Sequence, residues 1–175
     1  MKNFTLALIP LLVAGFLLPG KDCSGPNQHS TRVDGPYVLY KNNLVYVKYI
    51  VDEHGTKKVQ ADSMTLSQKA SVILQVATDD PAKMVAVKLK DRLENEKTDF
   101  SSAAKLFIVS DIEGNFAAFK KLLLAGGIID ADFNWTFGNG HLVLTGDFVD
   151  RGSMVNEVLW LIYSLEDKAK AAGGY

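Results

Sequence analysis

The sequence holds a single cysteine, Cys23, in 175 residues. That excludes an intramolecular disulfide and any cysteine-based zinc or iron–sulfur site, so a metal here must be held by oxygen and imidazole. An excess of charge of either sign is also missing. Lys plus Arg number 19 and Asp plus Glu 20, a formal net charge of -1. This balance removes the electrostatic reason to expect a nucleic-acid partner. The chain has no P-loop, no Rossmann glycine fingerprint and no serine nucleophile elbow. It also has no internal repeat and no low-complexity tract. What is there, 47% apolar and 22% charged residues, is average for a globular chain and too apolar for a disordered one.

The start is uneven. No charged residue stands between Lys2 and Lys21. A basic tip, an apolar run over 4–18 and the small Gly20 read as a secretory signal peptide over 1–20. The run is short for a membrane span of about 20 residues, and Pro10 and Gly15 weaken it as a helix. This pattern predicts export, to a periplasm or a cell surface. Cys23 sits just behind the run, where a bacterial lipoprotein carries its lipid, so membrane attachment through Cys23 is one reading. Gly20-Lys21-Asp22 does not resemble the usual small-residue box, and a free cysteine in a tail is the other. Residues 21–35 have the chemistry of a linker.

From Tyr37 the residues become β-branched and aromatic. Tyr37-Val38-Leu39-Tyr40 and residues 44–51 flank Lys41-Asn42-Asn43, which predicts a hairpin. His54-Gly55 marks a second turn. Residues 72–76 and 84–89 read as further strands, separated by Asp79-Asp80-Pro81. The stretch 36–90 is therefore expected to be a small antiparallel β unit, with its tyrosines packing across strands. Residues 91–104 are polar and connect to a different pattern. Lys105-Leu106-Phe107-Ile108-Val109 is a continuous apolar run, as in a strand buried on both faces. A helix follows, with Phe116, Phe119, Leu122 and Leu123 on one face and Gly126-Gly127 at its end. Trp135-Thr136-Phe137 and 141–144 read as strands around Gly138-Asn139-Gly140. A last helix carries Val155, Val158, Leu159, Ile162 and Leu165 on one stripe. Strand–helix–strand–helix marks an α/β layered fold.

Two apolar strands each end in acids followed by glycine. The first carries Asp111 and Glu113 in Ser-Asp-Ile-Glu-Gly-Asn, the second Asp147 and Asp150 in Gly-Asp-Phe-Val-Asp-Arg-Gly. In an open α/β sheet, sites form at the carboxyl ends of strands. Carboxylates converging there repel one another and resist desolvation, and a divalent cation resolves that conflict. Arg151 beside them suits a phosphate or another oxyanion. Taken singly, an Asp or Gly after a strand is a turn residue; the repetition at two strand ends is what points to chemistry.

At these residues the chain resembles the calcineurin-like metallophosphoesterases, and within them the branch of the serine/threonine protein phosphatases and their bacterial relatives. The second family motif, Gly-Asp-x-Val-Asp-Arg-Gly, is complete over 146–152. The first, Asp-x-His-Gly, is altered, with Glu113 where histidine usually sits. The resemblance covers residues 105–175 and implies an α/β fold, a β-sandwich flanked by helices, of which this stretch is the N-terminal part. It implies two divalent ions, manganese, iron, zinc or magnesium, with Asp111 and Glu113 on the first and Asp147 bridging both. Glu113 would favour harder ions. Arg151 would hold the phosphate, and Asp150 would orient a histidine acting as general acid. Ser110 and Asn115 are expected to be turn and cap residues. The implied partner is a phosphorylated substrate, a phosphate monoester on a protein or a small molecule.

The third family motif, Gly-Asn-His-Glu, is not present. Gly138-Asn139-Gly140-His141 precedes the second motif and starts a strand, so His141 is expected at a turn or strand edge. The chain therefore reads as the N-terminal part of a phosphatase, expected to bind metal weakly and to hydrolyse esters poorly or not at all by itself. An exposed apolar face on the last helix is expected with it. Two other classes stay open, a non-catalytic exported binding protein or truncated remnant, and a metal-dependent hydrolase of another ester.

Overall fold

Alternation of side chains builds the first sheet. In the computed structural model, which describes residues 30–100 and 102–175, β2 (Leu44–Glu53) buries Val45, Val47, Tyr49 and Val51. It pairs antiparallel with β1 (Ser30–Lys41) on one side and β3 (Thr56–Thr65) on the other. Asn42 and Asn43 both take left-handed backbone, φ 50 and 62, as a two-residue hairpin turn requires. A short 3-10 helix, Leu66–Ser71, leads to a separate hairpin of β4 (Ile73–Ala77) and β5 (Met84–Lys88). It buries Leu74, Val76, Val85 and Val87. The stretch 36–90 thus forms two antiparallel sheets. The expected signal segment and Cys23 lie outside the described residues. The expected linker does not run to 35, because strand begins at Ser30. Register shifts between Arg32 and Asp34 and between Asp34 and Tyr37 interrupt the alternation there, so no period-2 pattern marks it.

The second half is β6 (Leu106–Val109), α1 (Phe116–Ala125), β7 (His141–Leu144) and α2 (Val155–Ala171). β6 and β7 are parallel, Leu106 opposite His141 and Val109 opposite Leu144. A parallel pair needs a crossover, and α1 lies in it. The order strand–helix–strand–helix is as expected, and the class is α/β. Three details differ. Residues 135–137 form no strand: only a bridge joins Ile129 to Trp135, and the Trp135 indole donates to Gly138 O at 2.8 Å across the turn. β6 is covered on one face only, since Leu106 is 57% and Ile108 62% exposed. On α2 the buried stripe is Val158, Leu161, Leu165 and Ala169, while Leu159 is 42% exposed.

The α2 stripe is rotated because the helix packs on more than the sheet it follows. It contacts α1, β1, β4 and β5. The Trp160 indole donates to Pro36 O at 2.8 Å. Tyr163 Oη accepts from the Lys90 N–H at 2.7 Å, and the Lys90 ammonium pairs with Glu166. The β unit and the connector are thereby tied to the helix that leaves the Gly146–Gly152 motif. Among the described residues no helix is long and apolar enough to cross a membrane.

Glu157 is buried in the first turn of α2. Burial raises its carboxyl above the ordinary value, its own backbone N–H draws it back in part, and Asp34 on β1 adds to the rise. The sign follows from proton counting. As pH climbs past the unfolded value, the unfolded chain sheds this proton first, so the native state holds more protons and loses stability until its own raised value is passed. Glu157→Gln is therefore expected to melt higher than wild type at pH 7 and to lose that decline on the alkaline side of the unfolded carboxyl value. Paired thermal melts from pH 4 to pH 8 check it.

Candidate active site

Parallel pairing puts the ends of β6 and β7 side by side, and backbone hydrogen bonds tie the two following loops together. Thr145 N–H donates to Val109 O at 3.0 Å, Glu113 N–H to Asp147 O at 2.9 Å and Gly114 N–H to Phe148 O at 2.9 Å. Gly152 N–H returns to Glu113 O at 2.8 Å, and Met154 N–H to Gly114 O at 3.2 Å. The loops close on each other at two glycines. Gly114 has φ +67, and a Cβ at Gly152 would fall under 3.0 Å from the carbonyl oxygens of Glu113 and Gly114. Only a residue without Cβ fits at that crossing.

Four non-glycine residues here hold left-handed backbone: Asp111 (φ 54), Glu113 (φ 47), Asp147 (φ 52) and Arg151 (φ 53). Each such conformation costs roughly 1–2 kcal/mol for a side chain with Cβ. Strain of this kind persists where the surroundings over-determine it, and it gathers at functional sites. Here the cross-loop hydrogen bonds supply the over-determination. The outcome is that Asp111, Glu113 and Asp147 each bring a carboxylate oxygen within 4.8 Å of the others. An all-oxygen set of three carboxylates, each on a fixed backbone, fits a hard divalent cation.

Of the other expected site residues, Asp150 stands outside this trio. Its Oδ1 accepts from the Arg151 N–H at 2.8 Å, and its side chain is 60% exposed. The Arg151 guanidinium lies 3.2 Å from Glu113 Oε1 through one terminal nitrogen and 3.6 Å from Asp150 Oδ2 through Nε. Asn115 caps α1, its Oδ1 accepting from Ala118 N–H at 3.1 Å. His141 opens β7 at the end opposite the carboxylates, with its ring against Phe100 and Tyr175. His54 lies in the turn between β2 and β3.

A cleft of about 520 Å³ adjoins Asp111, Glu113 and Arg151. Its wall continues along α1 through Ala118, Phe119 and Leu122 to Met154. Leu122, expected on the packed face of α1, belongs to the cleft instead. It shares a helical face with Phe119 and Leu123, yet it is 42% exposed and lines the cleft. Its spacing of seven from Asn115, two helical turns beyond the cap, was the available signal.

No family model matches the chain. Over 78 residues, 45% of this chain, it is 30% identical to Shewanella-like protein phosphatase 2 of Arabidopsis thaliana, of which the match covers 20%. Over 71 residues it is 35% identical to an uncharacterised protein of Schizosaccharomyces pombe, covering 21% of it. Among solved structures, a point mutant of a cold-active protein tyrosine phosphatase superposes with a TM-score of 0.64 at 34% identity, over 82% of this chain and 41% of that one. The cold-active protein tyrosine phosphatase of a psychrophilic Shewanella species gives a TM-score of 0.56 at 33% identity, over 81% and 40%. The chain thus spans about two fifths of these structures, and its match about one fifth of the curated relatives. These likenesses support a relationship to the metallophosphoesterases and to phosphatases within them, and the α/β arrangement is consistent with part of such a fold.

Proposed function

We propose that residues 105–175 carry part of the active site of a metal-dependent phosphatase that acts on phosphate monoesters, of a protein or of a small molecule. The observation that carries this reading is the meeting of Asp111, Glu113 and Asp147 within 4.8 Å at two parallel strand ends, with Arg151 beside them. Asp111, Glu113 and Asp147 would together hold the divalent metal, each through a carboxylate oxygen. When bound, such ions supply Lewis-acid polarisation and a water acidic enough to act near neutral pH. Arg151 contributes a planar fork of N–H donors matched to phosphate oxygens. Asp150 accepts from the Arg151 backbone N–H through Oδ1 and faces the Arg151 guanidinium through Oδ2 at 3.6 Å, and once that guanidinium turns to phosphate its carboxylate would orient a histidine general acid. The strained, cross-tied loops keep these groups oriented before substrate arrives. Export, read from residues 1–20, belongs to the same proposal.

The third motif is not among residues 1–175, and we expect weak metal binding and little turnover from this stretch by itself. Equilibrium dialysis with Mn2+ and hydrolysis of an aryl phosphate test both halves. The expected result is weak Mn2+ binding that falls at least about tenfold in Asp111→Asn and in Glu113→Gln, as loss of a ligand exceeds loss of its supporting shell, with hydrolysis near background. Robust Mn2+-dependent turnover would overturn the expectation of incompleteness. Absence of Mn2+ binding would overturn the metal reading.

A further inference from the structure

We propose that Arg151 is a resident counter-cation of Glu113, competing with the metal for that carboxylate, and that its release on metal binding makes phosphate capture follow metal. The inference rests on the metal-site reading above and concerns the order in which that site fills.

Three carboxylates meet within 4.8 Å, so the cluster carries up to three negative charges. Among the described residues, Arg151 is the cation seen paired to a member of it, 3.2 Å from Glu113 Oε1. Glu113 is partly shielded, its side chain 20% exposed, while Arg151 is 75% exposed. The guanidinium also reaches Asp150 at 3.6 Å, so its donor fork is divided between two carboxylates. In that state two of its three guanidinium nitrogens face carboxylates, and the surplus acids around it repel an oxyanion. A neutral residue at position 113 would leave this arginine without that partner; the carboxylate there creates the exchange.

A divalent ion on Glu113 takes over the charge that Arg151 neutralises. Side-chain torsions alone then let the guanidinium turn to a phosphate, because the Arg151 backbone stays pinned by its N–H bond to Asp150 Oδ1 at 2.8 Å and by the Gly152 crossing. No bond is made or broken; one ion pair is exchanged for two interactions. By linkage, metal and phosphate then raise each other's affinity by the same factor.

The test uses the whole chain and reads bound Mn2+ from the loss of the free-ion paramagnetic resonance signal, with inorganic phosphate as the second probe. Removing the competing charge in Arg151→Gln is expected to tighten Mn2+ binding by about three- to tenfold, a modest gain because the arginine is solvent-exposed. Arg151→Lys keeps the charge and is expected to bind as wild type does. Phosphate is expected to tighten Mn2+ binding to wild type and not to Arg151→Gln. In a Glu113→Gln background the Arg151→Gln effect is expected to vanish, as a coupled pair requires. Equal or weaker Mn2+ binding in a folded Arg151→Gln, with wild type still binding, would overturn the counter-cation role and leave the metal reading intact. Failure of wild type and every variant to bind Mn2+ would overturn the metal reading, and this inference with it.

Discussion

Gly152→Ala is expected to lower stability by about 3 kcal/mol and to weaken metal binding at the same time. A Cβ there meets the carbonyl groups of Glu113 and Gly114 at under 3.0 Å. These are backbone atoms, each already engaged, Glu113 O by Gly152 N–H and Gly114 O by Met154 N–H. No flexible side chain can yield, so the loops must part, and overpacking of that kind sits at or above the usual range of about 1–3 kcal/mol. Parting them separates Glu113 from Asp147, whose backbones are joined at 2.9 Å. A thermal melt should fall by roughly 10 °C for a chain of this size, and Mn2+ affinity should drop with it. A variant with wild-type melting and wild-type Mn2+ binding would show that the crossing is looser than described.

Leu161→Ala is expected to cost as much but to act on stability alone. Leu161 is wholly buried, in the common core of the β unit and the α/β half, on the helix that contacts α1, β1, β4 and β5. Truncating a leucine in such a place costs about 2–5 kcal/mol, since the cavity adds to the lost transfer energy. Against a total stability of about 5–15 kcal/mol for an ordinary domain, that is a large share. Leu159→Ala, on the exposed side of the same helix, should cost under about 1 kcal/mol. The folded fraction of Leu161→Ala should keep wild-type Mn2+ affinity. Equal melting of the two leucine variants would mean that α2 does not pack as described.

Much of this architecture was legible in local chemistry. Asn42-Asn43 announced a hairpin because these residues tolerate left-handed backbone, and the acids recurring with glycines at two strand ends announced the convergence of carboxylates at which Asp111, Glu113 and Asp147 meet. What escaped the sequence depended on tertiary contacts. β1 was read too short because its register shifts erase alternation before Tyr37. β6 reads as doubly buried, yet Leu106 and Ile108 lie on an open face, since an apolar run records composition and not what covers it. The apolar face expected to be exposed on α2 is not found: Leu159, at 42%, is its one exposed large apolar side chain, because the helix also packs on the β unit. The α2 stripe was turned toward Leu159 because a helical period alone does not reveal a second sheet beside the helix. Four converging acids were expected; three meet, and Asp150 is engaged with its neighbour's backbone instead. The pairing of Arg151 with Glu113 joins two loops 38 positions apart and has no local signature at all.

On the reading proposed above, Asp111, Glu113 and Asp147 form a cation site. Anomalous diffraction from crystals of the chain equilibrated with Mn2+ tests it most directly. A manganese peak enclosed by these three carboxylates is expected, absent from Asp147→Asn crystals with the same loop backbone. Ordered loops with no peak between the three acids, at Mn2+ concentrations that populate sites elsewhere on the molecule, would contradict it.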